Sequence, residues 1–318
     1  MRDTLRPDPL PALRSKRLCI DLGRGDYLLA LLDQVKARPP LGLAIVLHGL
    51  SGCSEGPGLL RLAHVLLDAG FHVFRLNLRG AGAGRNLARG HYAASCNRDL
   101  LPALAKARQL AGSLPAVGVG LSLGGTMLLN ALTKSETSDQ PLLDGLVCIS
   151  SPLDLALSAD AINAWRNRSY QRWLLNRLRQ QCLADPYGVS DMERQWLEGP
   201  GQVRTIRQFD SIIVAPRWGF DSVETYYHIA SPLDRIQQGA LSCPTLLLHA
   251  SDDPWVPVGP TQSLYDLRRQ DLQVQITRGG GHNGFHGSWP SRTEACPGSW
   301  GDLYASRWLA RLVRSLNL

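Results

Sequence analysis

The 318-residue sequence lacks any cysteine pair at metal-ligand spacing, although it carries seven cysteines, at positions 19, 53, 96, 148, 182, 243 and 296. Their odd number and scatter argue against a disulfide framework as firmly as against a zinc site. Reduced thiols fit a cytosolic compartment, so a cytoplasmic location is expected. The segment from Met1 to Arg17 contains three prolines and several charges but no apolar run, which predicts no secretory signal there. Gln109 to Thr133 is free of formal charge, yet Pro115, several glycines, Ser122 and Asn130 interrupt it. A spanning helix is rarely so broken, and a buried strand, a tight turn and a helix fit better. Repeats and low-complexity tracts are missing too. The net charge of +7 is almost all arginine, but no dense basic tract or nucleic-acid motif concentrates it. A solvated basic surface is expected, with no nucleic-acid partner.

What is present is an ordinary folding composition, 44% hydrophobic and 19% charged, in a chain long enough for a sizeable core. Arg17–Asp21 and Tyr27–Asp33 flank the turn Gly23-Arg24-Gly25-Asp26 as a hairpin would. Short apolar runs follow at Leu43–Leu47, Phe71–Leu76, Ala116–Leu121, Leu146–Ile149, Thr245–His249 and Leu272–Ile276, as in strands buried on both faces of a parallel sheet. Helical periodicity lies between them at Leu59–Ala69, Leu100–Leu110 and Leu123–Thr133, and again at Arg307–Leu316. This alternation predicts an α/β fold with a mostly parallel central sheet flanked by helices. It stops at Pro152 and resumes after about Gln237. Residues 1–151 and 238–318 are therefore read as one core, and 152–237 as a mostly helical insertion.

Gly120-Leu121-Ser122-Leu123-Gly124 matches the G-x-S-x-G nucleophile elbow. That chemistry needs a serine at the tip of a strained strand-to-helix turn, with small residues two before and two after it. The pentapeptide alone is a weak signal; its place between a buried strand and a helix strengthens it. His48-Gly49-Leu50 closes an earlier strand, so the backbone N–H groups of Leu50 and Leu123 are candidate oxyanion donors, with the His48 side chain read as packing. The strand ending at His249 leads into Ser251-Asp252-Asp253-Pro254-Trp255-Val256-Pro257. Asp253 is the expected acid and Asp252 a neighbour that caps or orients the loop, although an offset of one stays open. Gly279-Gly280-Gly281-His282 puts a histidine on a glycine-rich loop that can approach the serine closely. His282 is the expected base, and His286 a surface or pocket-rim residue. Serine, acid and histidine thus follow three different strands in the order of the α/β-hydrolase fold.

The chain resembles the YheT-like α/β-hydrolases, a branch of esterases and lipases. The resemblance is carried by Asn77-Leu78-Arg79-Gly80, Gly120 to Gly125, Ser151-Pro152-Leu153-Asp154-Leu155 and Tyr170 to Leu175. It continues through Phe209-Asp210, Gly219-Phe220, Tyr226-Tyr227, Ser231, Asp252-Asp253-Pro254 and Gly280-Gly281-His282. It implies a helical lid between two core strands and action on small-molecule carboxylic esters, including acyl lipids, with neither metal nor organic cofactor. Where relatives often carry Tyr-His-x-Gly, this chain reads Tyr92-Ala93-Ala94-Ser95, which puts a family pocket feature in question. Hydrolysis and acyl transfer to an alcohol would use the same residues, and a binding protein on the same fold is the reading from another class.

Within the insertion, Trp165, Trp173, Leu174 and Leu178 are expected on one helical side, ringed by arginines. That pattern suits both an ordinary packed helix and a lid with weak peripheral membrane contact. Trp218, Phe220, Tyr226 and Tyr227 either line an apolar pocket or hold the lid to the core. Oligomeric state is left open.

Overall fold

A computed structural model describes residues 10–132, 142–285 and 299–316. Among these, eight strands form one sheet: β1 (Lys16–Asp21), β2 (Tyr27–Asp33), β3 (Gly42–Leu47), β4 (Phe71–Asn77), β5 (Ala116–Leu121), β6 (Gly145–Ile149), β7 (Thr245–Ala250) and β8 (Leu272–Thr277). Their spatial order is β1-β2-β4-β3-β5-β6-β7-β8. The hairpin β1–β2 joins β4 antiparallel, and every pairing from β4 to β8 is parallel. The central strands β3, β5, β6 and β7 are buried at every position, which is why they read as continuous apolar runs rather than alternating ones. The edge strand β8 is only partly buried.

Helices cover both faces. On one, α1 (Pro57–Ala69) and the C-terminal helix (Trp300–Leu316) pack on a core that includes Val46, Phe71, Val119, Val147 and Leu248. On the other, α2 (Asn97–Ala111) and α3 (Leu123–Leu132) cover Leu43, Ile45, Phe74, Leu76 and Cys148. The C-terminal helix begins seven residues before the expected Arg307, because Ser299 N–H and hydroxyl both meet the Asp302 carboxylate and cap its first turn.

Between β6 and β7 the chain forms α4 (Leu155–Asn163), α5 (Arg168–Leu183), α6 (Asp191–Glu198) and several shorter helices. Their apolar sides join the second of these cores, through Leu174, Leu178, Phe209 and Tyr226 among others. The expected common face of Trp165, Trp173, Leu174 and Leu178 is corrected here. Trp165 stands in a separate 3-10 turn, Trp165–Asn167, and is 81% exposed, whereas Leu174 and Leu178 are buried. The break comes from Asn167, whose amide donates to Ala161 O at 2.8 Å and to Pro254 O at 2.7 Å. A side chain tied to two backbone carbonyls there ends one helical path and starts another.

Candidate active site

The sheet order reverses about β3, with β4 on one side and β5 on the other. The loops leaving the carboxyl ends of β3 and β5 diverge there, and the crevice between them is where open α/β sheets hold ligands. In register, Leu47 of β3 lies beside Gly120 of β5, Leu121 beside Ile149, Ile149 beside Leu248, and Ala250 beside Thr277. Residues following these five strand ends therefore emerge next to one another, however far apart they lie in sequence.

Ser122 follows β5 with φ +53, a left-handed conformation that costs a non-glycine residue energy and persists only when its surroundings enforce it. The glycines explain how. A Cβ on Gly120 would come within 2.2 Å of Gly125 N, and one on Gly124 within 2.6 Å of Leu47 O. One on Gly125 would lie 2.0 Å from Ser151 Oγ. The turn folds so tightly onto its neighbours that only hydrogen fits at these three positions. Gly49 is close from the other side, since its Cβ would sit 3.0 Å from Ser122 Cβ, a tight contact though less severe than the other three. The β3 loop therefore lies directly against Ser122.

His282 reaches the serine from the β8 loop. Its Nε2 is 2.9 Å from Ser122 Oγ, and its Nδ1 is 2.8 Å from Asp253 Oδ2. A carboxylate only accepts, so Nδ1–H donates to Asp253 and Nε2 accepts from the serine hydroxyl. Gly280 permits the approach: a Cβ there would be 2.7 Å from the Phe285 ring. The Asp253 side chain is fully screened from solvent. Burial opposes its ionisation, but the His282 charge and hydrogen bond, with N–H donors from Trp255 and Val256 at 2.9 and 3.0 Å, outweigh it and hold the carboxyl below its usual range.

Of the adjacent carboxylates, Asp252 takes the other part: its Oδ1 accepts from Gly281 N–H at 2.8 Å and holds the histidine loop. His249, at the end of β7, backs the acid loop. Its Nε2 donates to Val256 O at 3.0 Å and its Nδ1 accepts from Thr261 Oγ1 at 3.1 Å. Burial lowers its pKa and favours that neutral form.

Leu50 and Leu123 border the same cavity as Ser122 and His282. Leu123 is the first residue of α3, so its N–H has no partner within the helix. The His48 ring is buried beneath the loop: Nδ1–H donates to Gly49 O at 2.8 Å and Nε2 accepts from Leu78 N–H at 3.3 Å. Burial pulls its pKa down to about 4, which makes it a neutral brace. His286 lies outside the described residues.

The contacts that hold the loop after β3 escaped sequence reasoning. Ser51 N–H donates to Tyr92 Oη at 2.6 Å, while Ser51 O accepts from Arg177 at 3.2 Å and Gln181 at 3.3 Å, both on α5. The loop after β3 is thus clamped by the insertion and by the divergent Tyr92-Ala93-Ala94-Ser95 segment. Tyr92, Ala93 and Ala94 are buried, and Ala94 N–H donates to Tyr226 Oη of the insertion at 2.9 Å. Tyr226 and Tyr227 border the cavity, together with Tyr170, Leu174, Ile162 and Trp255. Trp218 instead fastens the insertion to the core by donating to His91 O at 2.8 Å, and Phe220 packs on Tyr226 within the insertion. Asp210 also faces the cavity, from a π-helical turn, and accepts from Tyr227 Oη at 2.7 Å. Burial pushes its carboxyl up to about 7 against the opposing Tyr227 hydrogen bond and Arg207 charge. Only the Phe209-Asp210 and Tyr226-Tyr227 pairs hinted at this, because a helix that folds back over a sheet has no periodicity pointing to its contacts.

Residues 38–287 match the family described as serine aminopeptidase, S33. The chain is 30% identical to the Escherichia coli (strain K12) protein named "Putative esterase YheT", over 93% of this chain and 85% of that one. It is 28% identical to medium-chain fatty acid ethyl ester synthase/esterase 2 of Saccharomyces cerevisiae over 80% of this chain, but spans only 61% of that relative. Among solved structures, the Pyrococcus furiosus esterase Pf2001 superposes with a TM-score of 0.60 at 12% identity, covering 95% of this chain and 93% of that one; this likeness concerns the fold. By fold and by sequence, the chain belongs to the α/β-hydrolase family described as serine aminopeptidase, S33, within its YheT-like, esterase- and lipase-like branch of serine hydrolases.

Proposed function

We propose that the protein hydrolyses carboxylic esters of acyl or lipid-like character through an acyl-enzyme on Ser122. The observation that carries this reading is the unbroken hydrogen-bond chain from Ser122 Oγ through His282 to Asp253, opening on a largely apolar cavity. His282 Nε2 takes the serine proton as Oγ attacks the ester carbonyl, and Asp253 holds the ring and stabilises its imidazolium form. The N–H groups of Leu50 and Leu123 receive the oxyanion; fixed backbone dipoles need little reorganisation as its charge develops. His282 then protonates the leaving alcohol and later activates water against the acyl-enzyme.

Residues 152–237 serve as the cap in this reading, since Leu155, Ala159, Ile162 and Leu174 roof the cavity. The lining is mostly apolar, which suits the acyl part of an ester. The name of the yeast relative, synthase/esterase, supports transfer to an alcohol as a second outcome of the same acyl-enzyme. The test is fluorophosphonate labelling of wild type, Ser122→Ala and His282→Ala, followed by p-nitrophenyl esters of increasing chain length with and without added ethanol. Labelling of wild type alone, with release of acid, is expected. Ethyl ester as the main product would favour transfer, and an unlabelled, folded wild type would overturn the reading.

A further inference from the structure

The outer corner of the insertion carries an unusual surface. Between Asp160 and Asp185 the sequence has five arginines, Arg166, Arg168, Arg172, Arg177 and Arg179, and no carboxylate. Arg166, Arg168 and Arg172 are exposed and have no ion-pair partner among the described residues. Elsewhere on the insertion most surface arginines are paired, Arg194 with Glu198, Arg207 with Asp160 and Glu224, and Arg217 with Glu193. Arg204 stands alone, with no tryptophan and no arginine but Arg207 within three residues in sequence. Among the unpaired arginines stand Trp165, 81% exposed, and Trp173, 39% exposed, with Arg177 over the Trp173 ring. A tryptophan so open to water gains no burial from the fold, and exposed aromatics flanked by arginine suit the headgroup layer of a membrane.

This corner adjoins the mouth of the site. Asn167, two residues after Trp165, donates to Pro254 O beside Asp253. Trp173 stacks on Tyr170 at 5.6 Å, Tyr170 on Trp255 at 3.4 Å, and the Trp255 ring lies 4.8 Å from that of His282. A continuous series of rings therefore runs from the basic surface to the histidine. Among the described residues no helix is long and apolar enough to cross a membrane.

We propose that the corner formed by the Trp165–Asn167 turn and the first half of α5 docks on an anionic lipid surface. The indoles of Trp165 and Trp173 settle at headgroup level, and Arg166, Arg168 and Arg172 pair with lipid phosphates. Charge complementarity selects this occupant: three unpaired guanidinium groups attract anionic headgroups, and the two indoles add apolar surface that a purely polar anion would leave unused. Docking stands on the chemistry of this face alone. Only its consequence, delivery of ester from lipid to Ser122, rests on the proposed hydrolysis.

The test is cosedimentation of the full chain with vesicles of phosphatidylcholine alone, or with about 30 mol% phosphatidylglycerol. Binding to the anionic vesicles only, abolished by high salt, is expected. Arg166→Gln/Arg168→Gln/Arg172→Gln should weaken it about 100-fold, from roughly fivefold per arginine. Arg194→Gln/Arg207→Gln, which removes as many charges from the same insertion less one, should change it less than threefold, by the weak dependence on distant charge. Trp165→Ser, at a position too exposed to matter for folding, should weaken it about tenfold through lost interfacial burial. Hydrolysis of a short soluble ester by these variants should match wild type and reports their folding. Absence of vesicle binding overturns the proposal, as does an equal loss in the Arg194/Arg207 control. Binding to a DNA duplex in place of vesicles, lost in the triple variant, would overturn it in favour of nucleic acid. Vesicle binding without fluorophosphonate labelling would leave docking standing while the hydrolase reading fails.

Discussion

The carboxyl end of the sheet and the helical insertion above it build the same cavity by different means. In the sheet, position is set by register and by hydrogen atoms where side chains cannot fit: Gly49, Gly120, Gly124, Gly125 and Gly280 each hold a backbone against another group. In the insertion, position is set by side-chain chemistry, through Arg177 and Gln181 on Ser51 O, Asn167 on Pro254 O, and Tyr227 on Asp210. The contrast teaches that Ser122, Asp253 and His282 follow strands held by register and close backbone packing, whereas the helices between β6 and β7 meet them through a few polar contacts that substitution can loosen singly.

The largest expected effect tests the rigid half. Ser122→Ala should lower kcat by about 10⁴–10⁶-fold with unchanged folding, as in other triad enzymes; a loss under tenfold, measured on a p-nitrophenyl ester, removes Ser122 from the nucleophile role. The adjacent carboxylates should then separate. Asp253→Asn is expected to cost about 10⁴-fold in kcat by leaving His282 in the wrong tautomer, while Asp252→Asn, which only loosens the grip on Gly281, should cost about tenfold or less. Similar losses in both would undo their assignment. Gly120→Ala should destabilise the fold by about 3 kcal/mol, because the added methyl meets backbone that cannot move aside, and urea unfolding reads this directly.

Two smaller effects address the insertion. Asp210 has a folded pKa of about 7, raised from an ordinary 3.8. Below the lower value the carboxyl is neutral whether folded or not and costs nothing. As pH rises towards 7 only the unfolded chain ionises, so the folded state loses stability through that window. Asp210→Asn keeps an acceptor for Tyr227 and removes the ionisation. Its Tm should exceed that of wild type at pH 8, and the difference should vanish near pH 3; a constant difference would mean that Asp210 does not titrate in this range. Last, Gln181→Leu removes one of two donors to Ser51 O, and a fall in kcat of about threefold to tenfold with little change in Tm is expected. No change in kcat would show that the clamp on the β3 loop is dispensable.

Sequence patterning reached far into the core because buried parallel strands leave a plain trace. Tyr27–Asp33 and Ala116–Leu121 have the bounds expected of them, and the other strands differ only at their ends. Ser122, Asp253 and His282 were legible because each follows such a strand, and because glycines mark the turns that carry two of them. The insertion was legible only as helical. Trp165 and Leu178 were expected on one face, and the break between them depends on Asn167 bonding to Pro254, 87 residues away in sequence.

By itself, then, the sequence determined the alternation of strands and helices, the strained serine turn, and the chain order of serine, acid and histidine. All of these follow from local sterics and from burial of apolar runs. Tertiary structure closed the offset of one that the sequence left open, with Asp253 facing His282 and Asp252 turned to Gly281. It also decided that Tyr92, Arg177 and Gln181 grip the loop beside Ser122, and that Asp210 is sealed against Tyr227. The physical reason is that hydrogen bonds and burial between distant segments depend on where packing brings them, and no local pattern encodes that distance.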